Sequence, residues 1–226
     1  MARGQVPLRV WLGAVVAVAW LLPSEASKEL RGRFIGNMAV AITDGTVTVM
    51  TDFPYQSGYS RYNTYPASEI RSSTATTLSL ITHKHPDHWE PRLFAKTNWK
   101  VVAPADATSG VDVSRVVPPT SRITFGPVVI EPIETPHAGI GHYSYVVTWH
   151  GKRLFFSGDT ESIDRLMGTK NLDAAFLSPW LYRSAIRSGR PLDAKRVVIY
   201  HHEAGEEVPE CRDRCTVPKQ GQRVPL

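Results

Sequence analysis

The segment Thr82-His83-Lys84-His85-Pro86-Asp87-His88 packs three imidazoles and a carboxylate into six positions, directly after the β-prone run Thr77–Thr82. Imidazoles crowded together repel when protonated and need partners when buried. Four ligand-type side chains in six positions are hard to explain as packing, whereas a divalent cation satisfies them. Neutral imidazole nitrogen and carboxylate oxygen are natural ligands of zinc, so the segment reads as part of a metal site. Further ligand-type residues stand at other strand-to-loop junctions: His137 in Glu134-Thr-Pro-His, Asp159 in Ser157-Gly-Asp-Thr, and His201 and His202 after Val197-Val-Ile-Tyr200. A sheet edge can gather such junctions at one rim. Taken singly, Asp159 also reads as a helix N-cap and His137 as a core histidine.

The rest of the chain reads as many strands with few helices, an α/β or α+β layered domain. Phe34–Ile42 and Thr46–Thr51 flank Thr43-Asp44-Gly45, a hairpin signal. Further strands are expected over Lys100–Ala103, Arg122–Ile133, Tyr143–Trp149, Arg153–Ser157, Asp173–Leu177 and Arg196–Tyr200. Helices are expected over Glu90–Lys96, Glu161–Met167 and, briefly, Leu192–Lys195. Phe53–Tyr65 is rich in aromatics, which suits either a binding-site loop or a surface loop pinned by its own rings.

His83, His85, Asp87 and His88 match the His-x-His-x-Asp-His motif of the metallo-β-lactamase superfamily, and the chain resembles that family from Phe34 to about Glu203. His137, Asp159 and His201 match the family's downstream ligands in order. The resemblance implies an αββα four-layer sandwich with two metal ions at one edge. His83, His85 and His137 would hold the first and Asp87, His88 and His201 the second. Asp159 would bridge them, together with a water or hydroxide that serves as nucleophile. Asp87 would both ligate and orient that nucleophile. Asp52, at the end of the strand Val47–Thr51, resembles the family carboxylate that fixes a ligand histidine's tautomer; it also reads as a turn aspartate. Two Zn2+ ions are expected, with Mn2+ or Fe as substitutes. His85 and His88 stand where the redox branch of the family carries acidic residues, which favours hydrolysis.

Auxiliary groups that could donate a proton or hold an oxyanion are His142, Tyr182, His202 and Tyr55. Neighbours on a strand point to opposite faces, so only one of His201 and His202 should reach the metals, and the family position selects His201. The expected activity is hydrolysis of an ester, lactone or β-lactam-like amide bond in a small molecule. A phosphodiesterase or nuclease on the same fold, or a non-catalytic metal-binding protein, are the alternatives. The net charge of +5 is scattered along the chain and reads as a solvated face rather than a nucleic-acid groove.

Arg3 and Arg9 precede the apolar run Val10–Leu22, followed by Ser24-Glu25-Ala26. That is the layout of a secretory signal peptide over residues 1–26, ahead of a single domain over 27–226. The run is shorter than the roughly 20 residues a spanning helix needs, so a stable membrane anchor is the weaker reading. Export to the periplasm or the exterior follows. In an oxidising compartment Cys211 and Cys215 would form a disulfide in a tight non-helical loop; two free thiols are the other state.

Overall fold

The computed structural model describes residues 1, 29–57, 61, 63–70 and 75–226, so the expected signal peptide lies outside the described residues. Two seven-stranded sheets pack face to face. The first is built from β1 (Arg31–Gly36), β2 (Ala39–Thr43), β3 (Val47–Thr51), β4 (Thr76–Leu80), β5 (Lys100–Val102) and β6 (Val116–Val117). The second takes β7 (Ile123–Phe125), β8 (Val128–Glu134), β9 (Tyr143–Trp149), β10 (Lys152–Phe156), β11 (Leu172–Leu177) and β12 (Ala194–Ile199). The C-terminal tail adds one short strand to each: β13 (Cys215–Thr216) extends the second beside β12, and β14 (Arg223–Val224) the first beside β1.

Both sheets are mixed. The β1–β2–β3 and β7–β8–β9–β10 pairings are antiparallel, whereas β3–β4–β5–β6 and β10–β11–β12–β13 are parallel. Parallel strands with both faces covered carry near-continuous apolar runs, as Leu172–Leu177 does. Between the sheets Phe34, Val40, Val49, Leu78 and Leu80 meet Ile130, Val147, Phe156, Phe176 and Val198. Behind the second sheet, Phe155, Leu177 and Ile199 pack on Leu166 of α2 (Asp164–Gly168) and on Leu181 and Ala185 of α3 (Pro179–Arg187). Behind the first sheet, Ile35, Met50 and Val101 meet Phe94 of α1 (Pro91–Phe94), Trp89 and Trp99. The result is an α/β sandwich with thin outer layers. Among the described residues no helix is long and apolar enough to cross a membrane.

Several elements depart from the sequence expectation. The run Phe34–Ile42 is two strands, because Gly36 and the left-handed Asn37 (φ 49°) reverse the chain inside it. Arg122–Ile133 is likewise broken by a turn at left-handed Gly126. Leu192–Lys195 is not helical: Ala194 pairs with Leu172 as the start of β12, and Arg214 hydrogen-bonds the Leu192 and Ala194 carbonyls. The longest helix among the described residues, α3, has no counterpart in the sequence expectation, although Ser178-Pro179 places an extended residue and a first-turn proline at its start. Cys211 and Cys215 are disulfide-bonded across a non-helical turn.

The aromatic run is core rather than rim. Phe53, Tyr55 and Tyr65 stack edge-to-face behind the first sheet, and the Tyr55 hydroxyl donates to the Asn63 carbonyl. Tyr55 is therefore not a free proton donor. Tyr59 and Tyr62 lie outside the described residues.

Candidate metal centre

Strands β3, β4, β8, β10 and β12 end at the same rim of the sandwich, and each hands over a polar side chain there. Asp52 follows β3 and His83 follows β4. His137, Asp159 and His201 come after β8, β10 and β12. The extended stretch after β4 alternates His83 and His85. A turn then closes with His88 N–H and Trp89 N–H both donating to the His85 carbonyl at 2.9 Å, which returns Asp87 and His88 to the same side.

Three overlapping trios result: His83, His85 and His137; Asp87, His88 and His201; and His83, His88 and Asp159. Within each, the ligand-type atoms lie within 4.8 Å of one another. The seven residues singled out as ligands from the sequence are those seven. One Asp159 oxygen sits 3.2 Å from His88 Nε2, 3.8 Å from His83 Nε2 and 4.0 Å from His137 Nε2, and its other oxygen 3.2 Å from His201 Nε2. Asp159 thus touches both of the first two trios. His85 and His137 are half-buried and give the cluster its open side. There a pocket of about 430 Å³ is lined by Pro136, His137, Ala138, Gly139, Glu161 and Ser162.

Hydrogen bonding fixes where the lone pairs point. Buried Asp52 only accepts. It takes Thr82 N–H at 2.7 Å, the Thr82 hydroxyl at 2.9 Å and His88 Nδ1–H at 3.2 Å. With its proton committed to Asp52, Thr82 Oγ1 accepts from His83 Nδ1–H at 3.1 Å. His83 and His88 therefore both turn an unprotonated Nε2 inward when neutral. His83 Nε2 faces His85 Nδ1 at 2.9 Å, and His88 Nε2 faces His201 Nε2 at 3.1 Å. Each of these facing pairs needs a proton or a cation between its nitrogens. A tetrahedral zinc with bonds of about 2.0–2.1 Å spaces its ligand atoms about 3.3 Å apart. His137 Nε2 is buried with no hydrogen-bond partner among the described residues. The donor set fits a metal.

Burial pushes His83 well below the ordinary imidazole value, and nearby His88 adds to the effect. Burial also works against a charge on His88, but Asp159 and then Asp52 outweigh it and hold His88 well above that value. Burial would raise Asp159, yet His88 and His201 keep it well below the usual carboxylate range.

The structure is similar to a metal-dependent hydrolase from Parabacteroides distasonis, at 22% identity, with 81% of this chain and 86% of the other covered and a TM-score of 0.63. It is similar to Igni18, a metallo hydrolase from the hyperthermophilic archaeon Ignicoccus hospitalis, at 16% identity, 87% and 98% coverage and a TM-score of 0.64. It also resembles the metallo-β-lactamase fold protein YhfI from Bacillus subtilis, at 16% identity, 76% and 86% coverage and a TM-score of 0.55. The chain has the metallo-β-lactamase fold. No family model matches the sequence, and no curated protein matches it.

Within this metallo-β-lactamase fold, the auxiliary residues fall differently from the sequence expectation. Tyr182 is turned away from the cluster. Its hydroxyl lies 3.4 Å from the Glu210 carbonyl, beside the C-terminal tail, so it is not placed to donate a proton at the rim. Trp180 is the α3 residue that reaches the centre, its ring edge-on to His201 with centroids 4.9 Å apart. His142 is buried, and both ring nitrogens are engaged by protein groups, so it too is no free acid. His202 stacks on Phe34 and lies 3.0 Å from the Glu203 and Pro218 carbonyls, away from the cluster that holds His201.

Sequence reasoning missed Asn37. From the β1–β2 turn its side-chain amide donates to the Asp87 carbonyl, and its own carbonyl accepts His201 N–H at 2.7 Å. One buried residue thus grips two members of a trio. The signal available was Gly36-Asn37, a turn dipeptide hidden in an apolar run.

Proposed function

We propose that the protein is an exported dinuclear metal-dependent hydrolase, zinc being the first candidate ion, that opens an ester, lactone or β-lactam-like amide bond in a small molecule. The observation that carries this reading is the set of overlapping His/Asp trios, with inward lone pairs fixed by Asp52 and Thr82. His83, His85 and His137 would hold one ion, Asp87, His88 and His201 the other, and Asp159 would be shared. Two bound divalent ions supply a water activated near neutral pH and a Lewis acid for the substrate oxygen.

The chain's own residues do the rest. Asp52 and Thr82 keep the proton of His88 and of His83 on Nδ1, away from the ions. Asp87, with an oxygen 3.6 Å from both His88 and His201, orients the attacking water through its carboxylate. Trp180 walls the His201 side, and the pocket beside His137 receives the substrate. Export is supported by the leader-like start of the chain and by the Cys211–Cys215 bridge, which suits an oxidising compartment.

Metal analysis of the purified mature protein, with a panel of lactone, β-lactam and phosphodiester substrates, tests the proposal. About two divalent ions per chain and turnover of a lactone or amide are expected. Metal content near zero, with no uptake on adding zinc, would sink it.

A further inference from the structure

The turn Ser157-Gly158-Asp159 is held by a hydrogen-bond chain whose direction can be read from its far end. The Ser157 carbonyl can only accept, so the Ser144 hydroxyl, 2.6 Å away, spends its proton there. Ser144 Oγ must then accept from the Thr135 hydroxyl at 3.2 Å. With that proton spent, Thr135 Oγ1 accepts from His142 Nδ1–H at 2.8 Å. His142 Nε2 is left with its lone pair, and Asp159 N–H donates to it at 2.9 Å. Each step fixes the next, and the chain starts and ends on the same three-residue turn.

Two further observations join it to the metal centre. Thr135 N–H donates to the His142 carbonyl at 3.1 Å, closing the base of the loop that carries His137. Gly158 is left-handed (φ +60°), and a side chain there would collide with the His142 ring and with Thr82. The imidazole therefore lies directly against the turn that presents Asp159, while its own main chain anchors the His137 loop.

We infer that His142 is a positioning residue, which holds the Asp159 main chain against the His137 loop and so sets the distance between the shared carboxylate and the first trio. The inference rests on the metal reading proposed above. Supporting partners of metal ligands are worth about 10–100-fold in metal affinity.

The test uses zinc alone, by competition against a chromophoric chelator, and cobalt(II), whose visible absorption reports coordination geometry. His142→Leu keeps bulk and removes the acceptor; His142→Gln offers an amide oxygen to Asp159 N–H. The leucine variant is expected to bind zinc about 10–100-fold more weakly with an altered cobalt spectrum. The glutamine variant is expected to recover most of the affinity and the wild-type spectrum. A folded His142→Leu with wild-type zinc affinity and spectrum overturns the inference while leaving the metal reading intact. Should the leucine variant not fold, Thr135→Val decides: it keeps the ring but cuts the chain behind it. Weakened zinc binding supports the inference, and unchanged binding and spectrum overturn it. Uptake of neither ion by the wild-type protein overturns the metal reading, and this assignment with it.

Discussion

Replacing Asp52 by asparagine keeps the side chain's shape and deletes its charge at one of the most constrained points of the rim. The native carboxylate takes Thr82 N–H at 2.7 Å, the Thr82 hydroxyl at 2.9 Å and His88 Nδ1–H at 3.2 Å. An asparagine oxygen can still take Thr82 N–H and, at 3.1 Å, the Thr82 hydroxyl, which leaves the His83 tautomer as it was, but the NH2 group is then turned to His88 Nδ1. His88 must accept there and carry its proton on Nε2, the atom that faces His201 at 3.1 Å and Asp159 at 3.2 Å. A proton at that place competes with a metal ion. Loss of such a supporting partner weakens metal binding by about 10–100-fold, or about 1.4–2.8 kcal/mol at 1.4 kcal/mol per decade. A two-step zinc competition titration should show the Asp87/His88/His201 step weakened by that factor and the His83/His85/His137 step little changed. Weakening the buried charged hydrogen bonds should also cost about 1–3 kcal/mol in the metal-free protein, about 2–12 °C in Tm for a chain of this size. A folded variant whose two zinc-binding steps both match wild type would refute the tautomer argument.

Three further outcomes follow from the geometry. Asp159→Ala removes the carboxylate that touches His83, His88, His137 and His201, so its metal content should fall below one ion per chain, whereas Asp52→Ala keeps at least one; elemental analysis of both variants decides, and equal losses would count against a shared ligand. His201→Ala should bring metal content toward one ion and abolish hydrolysis, while His202→Ala should keep both ions and lose about 1–3 kcal/mol of stability with its buried contacts; the reverse pattern would mean the end of β12 is placed one residue out. Asp44 is the acid-sensitive clasp of the β2–β3 turn: burial acts to raise its pKa, but hydrogen bonds from Val47 N–H, His150 and Thr46 prevail and hold it well below the usual value. Its contribution is therefore fully present above the unfolded pKa of about 3.9 and is lost as pH falls below that toward the lower folded value, so urea unfolding should find Asp44→Ala clearly weaker at pH 6 and closer to wild type at pH 3.

What could be read from the chain beforehand divides along physical lines. The segment His83–His88 was legible as a metal site from its crowd of imidazoles, and His137, Asp159 and His201 joined it through the resemblance to a family whose downstream ligands they match in order. Strand parity allowed only one of His201 and His202 at the rim, and the family position, not parity, selected His201. Asp52 was legible as a residue ending β3, and the structure brings it to His88 Nδ1. Orientation within an unrecognised helix was not legible. Trp180 and Tyr182 are two residues apart, about 200° around an α-helix, so one meets His201 and the other meets the C-terminal tail. The turn at Asn37 left only the dipeptide Gly36-Asn37 as its mark, and the apolar residues on either side make the two strands it joins read as one. His142 lies close to the centre in sequence and space, yet its partners are decided by hydroxyls just after β8 and on β9 that composition does not distinguish from any other serine or threonine.

The rim ligands are divided between the two sheets in a way that bears on how the molecule holds together. His83, His85, Asp87 and His88 leave the first sheet after β4, while His137, Asp159 and His201 leave the second, and each of the first two trios takes two members from one side and one from the other. Neither half of the chain could assemble a site by itself. A cation bound there would act as a rivet through the open end of the sandwich, present only once the halves have docked. Its binding energy would then appear as resistance to prising the sheets apart, growing by RT ln(1 + [metal]/Kd), about 2.7 kcal/mol at a hundredfold excess over Kd. Chelation would be expected to loosen that end first and leave the far hairpins, pinned by Asp44 and His150, the last to part.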